Sequence, residues 1–113
     1  YNQEPFTQNG KYSGVAPGAK IAFLDIATSS GAIYFPSVSQ QYKGLRKANA
    51  YVCSNSWGGR FSKGGGYYAN KNLDEYLYKN MDTLILFANG NSGANGLGSV
   101  SREASSKSVV SVG

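Results

Sequence analysis

The sequence predicts an α/β fold with a doubly wound parallel sheet, because continuous apolar runs alternate with segments of helical spacing. The order strand, helix, strand, helix, strand is typical of parallel strands joined by right-handed crossovers. The length of 113 residues and a hydrophobic share of 41% fit one globular domain.

Four apolar runs predict the strands. The first, residues 20–26, follows the glycines and proline of "GVAPGAK", and its unbroken apolar character predicts burial on both faces. The others are residues 50–56, 83–88 and 108–113. The segment "SREASSK", ahead of the last strand, has room for two helical turns at most. Residues 58–70 are rich in glycine and predict a long surface loop.

Helical spacing predicts one helix over residues 37–48, with Ser37 as its N-cap. Its apolar positions fall on one face: Val38, Tyr42 and Leu45. Its polar positions are expected to face water: Gln40, Lys43 and Lys47.

A second helix is predicted near residues 70–80. Leu73 and Leu77 share one side of it. Asp74 and Glu75 are expected in its first half, where the helix macrodipole favours negative charge.

Charge and cysteine content exclude several functions. Eleven basic residues against six acidic ones give a net charge of +5, but the basic residues are scattered, which favours a solvated surface over a nucleic-acid groove. The single cysteine, Cys53, forms no internal disulfide, and with no histidine the chain has no ligand set for structural zinc. Cys53 is predicted to be a small core residue, and no cofactor is evident.

No stretch approaches the length of a membrane span, and the polar N-terminal residues lack the apolar core of a signal peptide. The chain also lacks an initiator methionine, which suggests a piece of something longer.

Two loops follow predicted strands where sites form in open parallel sheets, at the carboxyl ends of the strands. They are "SNSWGG" and "NGNSGANGLG". Loops of this kind can pair with an extended peptide while the Asn91 amide donates a hydrogen bond. Equally, the glycines can serve only tight turns, with Asn91 capping its own loop.

Other chemistries fit less well. The glycines of the second loop resemble a phosphate cradle, but the spacing differs from G-x-G-x-x-G and no full crossover helix follows. No serine has a histidine partner, and the six carboxylates show no metal-ligand spacing. These residues alone therefore do not make a complete active site.

Four segments together resemble the subtilisin-like serine proteases, the subtilase family (peptidase S8). They are "GVAPGAKI", "SNSWGG", "LFANGNSG" and "SVVSVG", in the order and spacing of that family. The resemblance covers nearly the whole chain from Tyr12 onward and implies the central portion of a subtilisin-like sheet.

The resemblance also implies roles for individual residues. Asn91 matches the oxyanion-hole asparagine of the family. One wall of the primary specificity pocket matches Ser56, Trp57, Gly58 and Gly59. The other wall matches Ala88, Asn89 and Gly90. The segment from Gly31 to Tyr34 resembles the family's edge segment, which pairs with the opposite side of the substrate.

Residues 1–113 are accordingly predicted to be a partial catalytic domain, lying between the histidine motif and the serine motif of the family. By this resemblance the intact protein is expected to cleave polypeptides through an acyl-enzyme, to be secreted or resident in an endomembrane lumen, and to belong to a family in which calcium sites occur. The piece alone is expected to be inactive. The alternative is a catalytically silent peptide-binding module.

The sequence departs from the usual family pattern at two places. Asn89 stands where alanine is common and is expected to bring a polar group near the pocket wall. Arg102, Glu103 and Ser108 interrupt the usual run of Ser-Pro-Ala-Thr-Ala-Lys-Asn.

Overall fold

The computed structural model describes residues 14–59, 66–96 and 98–113. The polar residues 1–13 and residues 60–65 of the predicted glycine-rich loop lie outside the described residues. The helices are α1 (Val38–Lys47) and α2 (Gly66–Lys79), and the strands are β1 (Val52–Asn55), β2 (Leu84–Ala88) and β3 (Val110–Val112). Short 3-10 turns span Gly93–Asn95 and Glu103–Ser105.

The three strands form one parallel sheet in the order β1-β2-β3. Cys53 lies opposite Ile85 in the register, and Phe87 lies opposite Ser111. The α/β prediction with parallel strands and crossover helices is therefore confirmed. Each strand is shorter than its apolar run, because the ladder extends only where a neighbouring backbone lies alongside.

Both helices pack on one face of this sheet in the described part of the chain. The core between them combines side chains from both helices, β1, β2 and the second 3-10 turn: Tyr42, Cys53, Leu73, Leu77, Ile85, Phe87 and Ala104. Ile85 and Phe87 are its least exposed large side chains, at 0% and 1%. The prediction that Cys53 is a core residue is confirmed.

Strand β2 is buried on one face only. Its residues alternate, so that only Ile85 and Phe87 are buried, whereas Leu84 is exposed. Side chains alternate between the two faces of a strand. The helices cover the face that carries Ile85 and Phe87, and the opposite face of β2, with Leu84, is not covered by them.

Helix α1 begins where its local sequence predicts. The Ser37 hydroxyl accepts a hydrogen bond from the Gln40 N–H, and the Gln40 side chain accepts one from the Ser37 N–H at 2.9 Å. This capping box satisfies backbone donors that the first turn leaves unpaired. Tyr42 is buried and Lys43 is exposed, which confirms the predicted apolar and polar faces.

Helix α2 begins earlier than predicted, at Gly66 within the glycine-rich stretch. Asp74 and Glu75 therefore lie past its midpoint, and their predicted place near the positive end of the macrodipole is wrong. Asp74 instead accepts hydrogen bonds from the Ser106 hydroxyl at 2.5 Å and the Ser108 N–H at 3.0 Å. Its carboxylate fixes the turn that leads into β3.

The predicted strand at residues 20–26 is also wrong. The segment has no strand assignment, and its apolar side chains are open to solvent, with Ile21 90% and Phe23 87% exposed. A groove of about 880 Å³ lies between this segment and β1. An apolar run reports a tendency to be buried, but a strand also requires backbone partners. No ladder forms here among the described residues.

No helix in the described ranges is both long and apolar enough to cross a membrane.

The buried position of Tyr42 gives a direct test of this core. Tyr42→Ala should lower the free energy of unfolding by about 3–5 kcal/mol, because it removes a large ring from a close-packed site. Tyr42 is 2% exposed, whereas Tyr78 on α2 is 79% exposed. Urea unfolding of both variants checks this, with Tyr78→Ala as the matched control at about 0.5 kcal/mol or less. Equal losses would contradict the packing described.

Candidate functional site

A cleft of about 690 Å³ opens at the carboxyl edge of the sheet, beyond the ends of β1 and β2. One wall consists of residues 56–59, here called the β1 arm. The other consists of residues 88–91, here called the β2 loop. Ser92, Asn95 and residues 98–101 complete the lining. The cleft therefore brings together all the predicted site residues except Gly31 and Tyr34.

The β2 loop is fixed by hydrogen bonds to the segments on either side. The Asn89 N–H donates to the Val112 carbonyl at 2.7 Å, and the Asn89 carbonyl accepts from the Ser101 N–H at 2.8 Å. The Ser101 hydroxyl donates to the Ala88 carbonyl at 3.0 Å. Gly90 follows at φ +95°, a conformation that side chains other than glycine rarely adopt.

Asn91 comes directly after this left-handed turn. It is exposed, and it lies in the wall of the cleft. The chain thus turns sharply at Gly90 and presents an amide, which is both a donor and an acceptor, to anything that occupies the cleft.

The Asn89 side chain is half-buried. Its Oδ1 is buried and has no hydrogen-bond partner among the described residues. Its Nδ2 lies 2.8 Å from the position that a Cβ on Gly113 would take. The amide is thus packed against the end of β3, although Asn89 also borders the cleft.

Aromatic packing holds the β1 arm. Trp57 lies between Phe35, with ring centroids 4.9 Å apart, and Phe87, 5.2 Å away and edge-on. Such pairs stabilise beyond the area that they bury. The indole therefore ties the arm to the core beneath it.

Close approach to Ser101 requires glycine at position 58. A Cβ at Gly58 would lie 2.7 Å from the Ser101 Cβ, well inside van der Waals contact. Ser101 also bonds to the β2 loop, so this one residue touches both walls of the cleft. Sequence reasoning missed Ser101, because the contact depends on how the strands bring distant segments together.

Glu103 anchors the arm at its far end. The Gly59 N–H donates to Glu103 Oε2 at 2.7 Å, and the Arg102 N–H donates to the Gly59 carbonyl at 3.1 Å. Arg102 Nε donates to Glu103 Oε1 at 2.9 Å. Glu103 is only 7% exposed, so both oxygens of a buried carboxylate are used.

The pKa of Glu103 reflects opposing effects. Burial alone would raise this pKa, but the hydrogen bonds from the Gly59 N–H and from Arg102 outweigh burial and bring it below the ordinary value of 4.5. Glu103 is therefore ionised at neutral pH, as its role as a double acceptor requires.

Gly31 and Tyr34 lie outside the cleft. They belong to a tight turn in which Gly31 has φ +78° and the Tyr34 N–H donates to the Ile26 carbonyl at 2.8 Å. Ala27 and Ile33 form an antiparallel bridge across this turn. The turn meets the arm through the neighbouring Phe35, which stacks on Trp57.

Comparison of the whole sequence with known protein families identifies its family. Residues 2–113 match the profile of the subtilase family, peptidase S8. The chain belongs to the subtilase family. The predicted family membership is therefore confirmed.

Two relatives of this subtilase chain come from Dictyostelium discoideum. It is 35% identical over 108 residues to the "Serine protease/ABC transporter B family protein tagD" and 37% identical over 106 residues to the "Serine protease/ABC transporter B family protein tagB". Each match covers 90% of this chain but only 6% of the relative, so the chain spans a small part of the proteins it resembles. No solved structure matches the chain.

The described residues contain no cluster of the side chains that most often bind metals, those of histidine, cysteine, aspartate and glutamate. No three acidic, cysteine or histidine residues converge anywhere within them. Calcium in the intact protein stays a prediction.

The contact between Gly58 and Ser101 can be tested by stability. Gly58→Ala should destabilise the fold by about 1–3 kcal/mol, because the added methyl overlaps the Ser101 side chain. Ser101→Gly removes the overlapping side chain together with its hydrogen bond to the Ala88 carbonyl, so in that background Gly58→Ala should cost much less than in wild type. Gly44→Ala on α1 is the control, since nothing lies within 4 Å of its Cβ position. If Gly58→Ala costs as much in the Ser101→Gly background as in wild type, the contact is contradicted.

The Glu103 anchor predicts a specific dependence on pH. Because the folded-state pKa is lowered, its stabilisation is complete above the ordinary pKa of 4.5 and is lost as pH falls through the lower folded value. The stability difference between wild type and Glu103→Gln, measured by urea unfolding, should therefore shrink on acidification. A constant difference would contradict the anchor.

Proposed function

We propose that the protein containing this chain is a serine endopeptidase, in which residues 1–113 supply the oxyanion-hole asparagine and the substrate-binding walls. The observation that carries the proposal is the cleft. Asn91 and both matched wall segments lie around a single opening at the carboxyl edge of the sheet. Membership of the subtilase family supports this assignment.

In this proposal the nucleophile and its base come from outside residues 1–113, since the chain contains no histidine. A serine hydroxyl attacks the scissile carbonyl carbon, a histidine takes the hydroxyl proton, and an aspartate orients that histidine. The carbonyl oxygen becomes an oxyanion. Collapse of the tetrahedral intermediate expels the amine, which takes the proton from the histidine, and leaves an acyl-enzyme that water hydrolyses.

The Asn91 amide would act while the oxyanion exists. Its Nδ2–H donates to the developing negative charge, and a donor held in place in advance does not need to reorganise during the reaction. The hydrogen bonds of Asn89 and the turn at Gly90 supply that rigidity.

The proposed substrate is an extended polypeptide. The β1 arm ends in Gly58 and Gly59, whose lack of side chains lets a substrate backbone approach closely, as in recognition by strand addition. A secreted or lumenal location stays a prediction from the family resemblance.

Replacing Asn91 tests the function. In the intact protein, Asn91→Ala should lower kcat about 10² to 10³-fold, the loss found in subtilisin when the corresponding donor is removed, from which this magnitude is taken. KM should change little, since the interaction is made in the transition state. The measurement is steady-state hydrolysis of a chromogenic peptide.

The matched control is Asn72→Ala, on the exposed surface of α2, which should keep wild-type kcat. An unchanged kcat in Asn91→Ala would reject the oxyanion role. An intact wild-type protein that binds peptides but cleaves none would identify the catalytically silent module instead.

A further inference from the structure

We propose that Glu103 is a positioning residue for substrate recognition, holding the β1 arm at the distance from the β2 loop that an extended peptide requires. This inference rests on the proposed function and deepens it. It adds a residue that neither touches the peptide nor follows from the motifs shared with the family, since Glu103 lies where the sequence departs from the usual pattern.

The first support is that Gly59 is held at both of its backbone groups. Its N–H is bound by the Glu103 carboxylate and its carbonyl by the Arg102 N–H. Glycine has the greatest backbone freedom of all amino acids. An arm that ends in Gly58 and Gly59 therefore needs contacts from outside the arm to keep one conformation.

The second support is that the same short segment fixes the other wall. Ser101 bonds to the Ala88 and Asn89 carbonyls of the β2 loop, while Arg102 and Glu103 bond to the arm. Residues 101–103 therefore bridge the two walls at their base. The spacing of the cleft is set by three consecutive residues, and Glu103 supplies the charged contact.

The third support is the chemistry of the contact. A hydrogen bond from a backbone N–H to an ionised carboxylate is about twice as strong as a neutral one. Arg102 partners the second oxygen, so the buried charge is compensated. Among the described residues, neither backbone group of Gly58 is hydrogen-bonded, which leaves this glycine available to a peptide while its neighbour is anchored.

A wall that contacts the peptide backbone away from the reacting carbon binds substrate and transition state alike. Its loss should therefore raise KM and leave kcat largely unchanged, the opposite of the pattern for Asn91. This split separates a role in positioning the arm from a general loss of folded protein, which would lower the concentration of active enzyme and leave KM as it was.

The test compares Glu103→Ala, Glu103→Gln and the control Glu75→Ala in the intact protein. Glu75 is exposed on α2, where it pairs with Lys71. Steady-state hydrolysis of an extended chromogenic peptide gives kcat and KM, with the active fraction counted by a fluorophosphonate titrant. Hydrogen exchange of the Gly59 amide, read by mass spectrometry, reports on the anchor without relying on activity.

Glu103→Ala should raise KM about tenfold or more, the size expected for a lost hydrogen bond to a charged group. Glu103→Gln keeps the shape and one acceptor oxygen, so its KM should fall between wild type and Glu103→Ala. The Gly59 amide should exchange faster in the same order, and Glu75→Ala should match wild type throughout. If Glu103→Ala does not fold, the same comparison between Glu103→Gln and wild type decides the question.

An unchanged KM in both Glu103 variants of an active enzyme would overturn the role of Glu103 and leave the proposed function standing. An intact wild-type protein that cleaves no peptide would instead reject the proposed function. The proposed role of the β1 arm in binding a protease substrate would then be rejected as well.

Discussion

The parallel pairing of β1, β2 and β3 is the constraint on which the rest of this structure depends. Parallel strands end at the same edge of a sheet. The residues that follow β1 and β2 therefore meet, although paired positions such as Val52 and Leu84 are far apart in the sequence. Phe87 joins this arrangement to the core, because its ring is buried under the helices and also meets Trp57 of the arm. Anything that shifted β1 against β2 would separate the two walls of the cleft.

The second organising element is the segment of residues 101–103, which closes the base of the cleft. It contacts both walls through backbone groups, a hydroxyl and a carboxylate. The cleft is thus built from flexible, glycine-rich pieces whose positions are fixed by hydrogen bonds from outside them. Small residues permit close approach of a substrate, and the surrounding bonds limit the conformations that those residues would otherwise sample.

Local sequence was sufficient where the determinants are local. Ser37 was correctly predicted as the N-cap of α1, because its capping partner Gln40 is only three residues away. The cleft was predicted from topology, since apolar runs locate the strands and the parallel rule locates their ends. The subtilase motifs then identified which residues lie there.

Sequence reasoning failed where distant contacts decide. Residues 20–26 have the apolar pattern of a strand, yet pairing depends on a partner that the pattern does not report. In the sequence, Glu103 is only a departure from the usual run of the family. Its structural role is not visible there, because its partner Gly59 is 44 positions away. Nothing near Glu103 in the sequence indicates that its side chain turns inward and is bound by a backbone amide.

The central claim is that the cleft binds the scissile peptide with Asn91 at the oxyanion. A structure of the intact protein with a peptidyl boronate bound to its nucleophile tests this most directly, because the tetrahedral adduct reproduces the charge and shape of the intermediate. The account predicts a boronate oxygen about 2.7–3.1 Å from Asn91 Nδ2, with the peptide between the β1 arm and the β2 loop. A peptide bound elsewhere, or an Asn91 amide directed away from the adduct, would contradict it.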